Sequence, residues 1–224
     1  KEYRRQRQMC IRDSPDLHPL SMTVNDDLSA LMQPDWQYVS KNSLEHFSRA
    51  DWQTLLSQRQ IYYREQQGRQ VLRMLADSEH DATFGYRINN FRHCLQSATL
   101  ALHDGLDEED IVVCLLHDVG FITCPDSHGE FAAALLGCYV SERNHWMLQR
   151  HAIFQDAHSP EHPQVDPRAR ERWRGHPHFE WAATFVERYD QTAIDPHYEC
   201  APLSTFEPMV MRIFSRTPRL SPLP

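Results

Sequence analysis

Apolar residues along this chain recur at helical spacing in segment after segment, and no stretch alternates with the period of two that a half-buried strand requires. From Asp51 to Met74 the pattern is that of one long helix with few breakers, with Leu55, Leu56, Ile61, Tyr62, Val71 and Leu72 among its apolar positions. Asn89 or Asn90 is placed to cap a second helix carrying Phe91, Leu95, Ala98 and Leu102, which Gly105 would end. Asp107–Asp110 supplies the acidic first turn of a third helix, which continues through the apolar run Ile111–Leu116. A fourth is predicted after a cap at Asp126 or Ser127, and a fifth from Ser141 through Trp146 and Met147 to His151. Residues 155–177 read as a long irregular loop with a short helix near Asp166–Trp173, a length that suggests a functional lid. A helix from Pro177 or His178 to Asp190, with Trp181, Phe185 and Tyr189 on its core face, precedes a last one over Phe206–Phe214 capped by Thr205. The predicted fold class is all-α.

The organisation expected is a leader over 1–21, basic and aperiodic and read as non-native or disordered; a helical segment over 22–85; a main domain over 86–216; and a Pro-rich tail over 217–224. Net charge is −8 and the pI near 5.9, which argues against nucleic acid or an anionic membrane surface held by bulk electrostatics. No apolar stretch approaches the ~20 residues of a membrane span. The six cysteines form no CxxC pair and are read as reduced thiols of a cytoplasmic protein.

Chemistry concentrates where the run Ile111–Leu116 ends in His117 and Asp118. Burying an unpaired polar group costs roughly 2–7 kcal/mol, so the pair calls for a partner or a cation. His93 lies 24 positions before His117, His128 lies 10 after Asp118, His151 lies 23 after His128, and Asp190 closes the series. Four imidazoles and two carboxylates exceed what one open catalytic ion takes, and suit two ions that share a carboxylate. Asp118 is the natural bridge, since a carboxylate offers two oxygens. The alternative for each histidine is a satisfied core residue; His103, His145 and His158 are rival ligands, and His162, His176 and His178 read as surface groups.

The order H…HD…H…H…D, from Tyr86 to about Arg216, resembles the HD-domain superfamily of metal-dependent enzymes. The resemblance implies a helical bundle with a dinuclear site between helices and ligands His93, His117, Asp118, His128, His151 and Asp190. The spacings are similar to those of the mixed-valent di-iron oxygenases that cleave phosphonates or oxidise inositol. In those enzymes one iron of an Fe(II)/Fe(III) pair binds substrate, the other meets O2, and a C–C or C–P bond breaks. Two further features favour that group. Phe121 stands where many HD phosphohydrolases carry a Lys, and Phe84–His93 resembles the stretch in which an oxygenase Tyr occupies one iron, a catalytic role implied here for Tyr86 alongside Asp118. The chain departs from the phosphonate-cleaving pattern at Phe121 and Gln155, both neutral where basic groups hold the phosphonate. Arg87, Arg92, Arg150 or Arg188 would then hold an anion, or Phe121, Trp146, Phe154 and Tyr189 would shape a pocket for a quaternary ammonium group. The expectation is a di-iron oxygenase using O2 on a small polar substrate, with an organophosphonate as one candidate. The alternatives are a phosphohydrolase with Mn, Mg or Zn on the same ligands and a catalytically silent ligand-binding module.

Overall fold

The structure, a computed structural model, describes residues 36–219. The expected leader, Cys10 and the last five residues of the tail lie outside them. Among the described residues the chain is all-helical, with eight α-helices, short 3-10 turns and no strand. No helix among them is long and apolar enough to cross a membrane.

Helix α1, Arg49–Asp77, starts two residues earlier and ends three later than the apolar pattern suggests. Ser48 and Asp51 form a reciprocal cap, in which the Ser48 N–H donates to Asp51 Oδ2 (2.7 Å) and the Asp51 N–H to Ser48 Oγ (3.3 Å). Lys41 also pairs with Asp51. The chain divides into two compact units within α1, between Tyr62 and Tyr63. In the first unit, Trp36 meets the edge of Tyr62 at 6.1 Å and Gln37 exchanges two hydrogen bonds with the side chain of Gln58.

The second unit holds the rest of α1 and α2 (Asn90–His103), α3 (Glu108–Leu116), α4 (His128–Leu136), α5 (Glu142–Leu148), α6 (His151–Gln155), α7 (Phe179–Phe185) and α8 (Leu203–Phe214). Asn89 and Asp107 cap α2 and α3 by accepting from the N–H three residues on. Between them the chain reverses at Gly105, whose φ of +73° suits glycine; the Leu106 N–H reaches back to Ala101 O and that of Gly105 to Leu102 O. Helix α3 has no polar face after its first turn, and Ile111–Leu116 are all buried. It is the central element, with α2, α5 and α8 packed around it. At roughly 1.5–3 kcal/mol per buried large side chain, this run anchors the unit.

One buried polar network ties α3, α5 and α7 together. Asn144 donates to Glu109 Oε1 (2.9 Å) and Asp110 Oδ1 (2.7 Å), and accepts from the Trp181 indole (2.8 Å). Asn144→Ala leaves two carboxylates short of a donor and the indole N–H short of an acceptor. Each orphaned group costs about 1–3 kcal/mol, so a loss of at least 2 kcal/mol is expected in urea unfolding. A loss below 0.5 kcal/mol would show that water replaces the amide.

Four local expectations are revised. The helix from Ser141 does not run to His151 but stops at Leu148, and His151 opens a new helix. Ser127 occupies the N-cap position of α4, yet its hydroxyl pairs with Cys124 Sγ (3.0 Å) instead of capping. Helix α8 begins at Leu203 behind Pro202, so Thr205 lies inside it. The helix expected near Asp166–Trp173 is a 3-10 turn over Ala169–Trp173, and it is pinned to the core: Trp173 meets Trp146 edge-on and His176 stacks on Trp146 at 4.2 Å.

Candidate metal centre

The six residues singled out from the sequence come together. His93 lies in the first turn of α2, and His117 and Asp118 directly follow α3. His128 and His151 are the first residues of α4 and α6. Asp190 ends a π-turn, Val186–Asp190, that extends α7 and is closed by the Gln191 N–H on Val186 O. A π-turn adds one residue to the helical circuit and so changes the direction in which Asp190 points.

All four imidazoles are held the same way. Nδ1 donates to a backbone carbonyl: His117 to Cys114 (2.8 Å), His128 to Pro125 (2.9 Å), His151 to Leu148 (2.9 Å) and His93 to Ala193 (3.0 Å). In three of the four the carbonyl belongs to the residue three positions earlier, one that the end of a helix or turn leaves without a backbone donor. Carbonyls only accept, so the proton of each neutral ring sits on Nδ1 and the Nε2 lone pair faces inward.

Those lone pairs meet one another and two carboxylates. His93 Nε2 is 3.1 Å from His117 Nε2, and both lie within 3.8 Å of Asp118 and of Asp190 Oδ1. His128 Nε2 is 3.2 Å from His151 Nε2, and they lie 3.3 and 3.1 Å from Asp118 Oδ1. Two groups therefore share Asp118, and a third set, His117, His151 and Asp190, joins them edge to edge. Ligands bound at ~2.1 Å to one first-row cation are themselves separated by ~3.0–3.4 Å, close to the spacing here. Acceptors facing acceptors at such distances need protons or cations between them. Asp190 Oδ2 is buried with no hydrogen-bond partner among the described residues, a further opening for a cation. These buried His/Asp groups could hold a metal ion, and nitrogen with carboxylate oxygen suits first-row transition metals.

Without a cation the cluster holds a proton instead. Burial opposes charge on His117, but the carboxylates of Asp118 and Asp190 overcome it and push its pKa up to about 9. Burial and the neighbouring His117 charge push His93 down. Burial also works against both carboxylates, and the surrounding imidazoles, His117 foremost with His151 and His93, more than reverse it, so Asp118 and Asp190 stay ionised. The sign follows. A histidine raised from about 6.5 stabilises the metal-free fold fully below pH 6.5, and that contribution is lost as pH rises through about 9. A cation must displace this proton. Its apparent affinity is therefore expected to fall about tenfold per pH unit from 8 to 7, with proton release on loading. Titrating Mn(II) into the metal-free protein in buffers of different ionisation heat measures both, and a pH-independent affinity would remove His117 as a ligand.

Access is one-sided. The side chains of His93, Asp118 and His128 are 11–12% exposed, whereas His117, Asp190 and His151 are closed off. Phe185 seals the back, edge-on to His117 at 5.3 Å. Phe121 stands at the open side, 5.6 Å from the His128 ring.

Among the described residues, the other expected contributors make no side-chain hydrogen bond or ion pair with the cluster. Tyr86 is 62% exposed in the Thr83–Tyr86 turn, where Phe84 and Gly85 both have positive φ, and its hydroxyl has no hydrogen-bond partner among the described residues. Trp146, Phe154 and Tyr189 are core. Arg92 donates to Tyr198 O and Arg188 to Asp104. His103 contacts the Tyr198 hydroxyl and His145 packs near Gly137. Two residues expected in other roles support the cluster instead. Asn90 caps nothing and instead donates to Asp118 O (2.9 Å). Gln155, one helical turn after His151, donates to Asp190 Oδ1 (3.1 Å). Its i+4 spacing from a ligand was the available signal. No protein-family model matches this chain, and no curated protein is significantly similar to it.

Proposed function

We propose that this chain is an HD-type metal enzyme with a dinuclear centre: a mixed-valent di-iron oxygenase that uses O2 to oxidise and cleave a small polar substrate, an organophosphonate among the candidates. The observation that carries this reading is the pair of ligand groups sharing Asp118, open to solvent at His93, Asp118 and His128. His93, His117 and Asp190 would hold one iron, His128 and His151 the other, and Asp118 both. Bound there, an Fe(II)/Fe(III) pair supplies Lewis acidity toward a substrate oxygen and one-electron chemistry toward O2.

The chain's own residues do the rest. Backbone carbonyls fix the four ring tautomers, and Gln155 fixes the carboxylate plane of Asp190. Phe185 keeps water from the rear of the site. Phe121 offers the open side an aromatic ring where phosphate-ester hydrolysis would gain from a cation.

The test is electron paramagnetic resonance on protein loaded anaerobically with Fe(II) and briefly exposed to air. A signal from an antiferromagnetically coupled Fe(II)/Fe(III) pair is expected, followed by O2 uptake with phosphonates or polyols. A site that holds Mn, Mg or Zn, gives no such signal and releases phosphate from nucleotides would make the protein a phosphohydrolase instead.

A further inference from the structure

One residue before the ligand His151, the chain begins a second polar cluster that the metal centre does not use. The Nε–H groups of Arg150 and Arg170, the indole Nε1–H of Trp173 and His158 Nε2 are buried with no hydrogen-bond partner among the described residues. They belong to elements in mutual contact: α6 with its preceding residue, the 3-10 turn Asp156–His158, and the 3-10 turn Ala169–Trp173. Aromatic rings flank each guanidinium group, and the Arg172 charge acts on Arg150. Arg150 Cζ is 4.8 Å and Arg172 Cζ 5.1 Å from the Trp173 ring, and Arg170 Cζ is 6.0 Å from that of Phe154.

Trp146 joins Phe154 and Trp173 edge-on, so three positive charges, that of Arg172 exposed, flank one aromatic cluster in a chain of net charge −8. Among the described residues, the single carboxylate contact within 4 Å of these guanidinium groups is Glu171 Oε1, 3.9 Å from Arg170 Nε and beyond hydrogen-bond range. Arg150 has Gln149 Oε1 as a neutral acceptor at 2.8 Å. Glu130 is the other acid whose charge acts on Arg150, from farther away. Cation–π contact offsets part of a guanidinium's charge but provides no oxygen acceptor for its N–H groups. Ordered water would accept the hydrogen bonds and leave the charges together. An oxyanion does both.

We propose that the junction between α6 and the 169–173 turn binds a phosphate-type oxyanion, with Arg150, Arg170 and Trp173 as donors and His158 beside them. Planar guanidinium groups and an indole N–H suit the tetrahedral oxygens of phosphate, sulfate or a phosphomonoester. The site is separate from the metal ligands and does not depend on which reaction the metals support.

The test is calorimetric titration of inorganic phosphate into the metal-loaded full chain at constant ionic strength, with glycerol 3-phosphate in a parallel arm. One site is expected. Arg170→Gln should weaken it at least tenfold, and Trp173→Phe, which keeps the ring and removes one donor, severalfold. Metal content should stay unchanged in both. Tighter binding of glycerol 3-phosphate would assign the site to an organic phosphate, and equal binding to the free ion; either supports the proposal. Phosphate binding that both variants leave intact would locate it on the metals, and no binding at all would mean that water fills the junction. Either result overturns the proposal.

Discussion

With two ions bound as proposed, Asp118→Ala is expected to empty the whole centre and His128→Ala half of it. The asymmetry follows from Asp118 lying within 3.7 Å of all four imidazole Nε2 atoms: Oδ2 toward His93, Oδ1 toward His117, His128 and His151. Removing it takes a negative charge from both groups at once and leaves four inward-facing lone pairs with Asp190 as their sole counter-charge. Removing His128 leaves His93, His117, Asp118 and Asp190 as a set of four. An ion present at a hundred times its Kd adds about 2.7 kcal/mol to folding stability, so two independent ions add about twice that. Wild type is therefore expected to gain about 5 kcal/mol on loading, His128→Ala about half as much, and Asp118→Ala nothing. Metal analysis after desalting, together with melting curves with and without metal, gives the comparison. If Asp118→Ala keeps even one ion at full occupancy, the shared carboxylate is not the organising ligand.

The second large effect comes from a residue that is not a ligand. A Cβ added at Gly129 would lie 2.6 Å from Leu148 O and 3.2–3.3 Å from the His151 ring. Leu148 O is the acceptor that orients that ring, so Gly129→Ala pushes on the ligand and on its support together. The backbone oxygen can retreat only if the end of α5 moves. Overpacking of this kind costs about 1–3 kcal/mol, against a gain of about 1 kcal/mol from better helix propensity. The expected variant folds, melts below wild type and retains about one ion in place of two, the loss falling on the His128–His151 group. Gly175→Ala, where an added Cβ meets nothing within 4 Å, is the control and should match wild type in both readings. Full metal content in Gly129→Ala would show that the close approach of α4 and α6 does not set the position of His151.

What was legible in the sequence was local. An apolar run that stops at a histidine and an aspartate announces polar groups at the end of a buried helix, and Ile111–Leu116 with His117 and Asp118 is that arrangement. Helix starts at Asn89 or Asn90 and at Ser141 were readable because such side chains serve a backbone N–H three residues away, and Asp107, expected in an acidic first turn, is itself the cap of α3. Features fixed by packing were not readable. The stop at Leu148 carries no glycine or proline; it reflects where His151 must stand to reach Asp118, across 33 residues of sequence. The π-turn before Asp190 leaves no compositional mark in Val186–Asp190. Gln155 read as a neutral stand-in for a basic residue, and its role appears once Asp190, 35 positions on, is beside it. Tyr86 is a further case: its sequence neighbours resemble a ligand-bearing stretch, but the exposed placement set by the positive-φ turn at Phe84 and Gly85 is not legible in that pattern.

The carbonyl bonds to Nδ1 divide the labour of assembly unevenly. His117, His128 and His151 take their orientation from a residue three positions back, so each ring can be aimed as soon as its own helix end exists. His93 takes its orientation from Ala193, a hundred residues downstream. One half of the centre is thus written into short stretches of chain, and the other waits for the segment after Asp190 to dock. A cut of the backbone between Asp190 and Ala193 that leaves α8 attached by packing should therefore leave His128 and His151 aimed as before while His93 loses its aim, uncoupling the two halves without touching a candidate ligand.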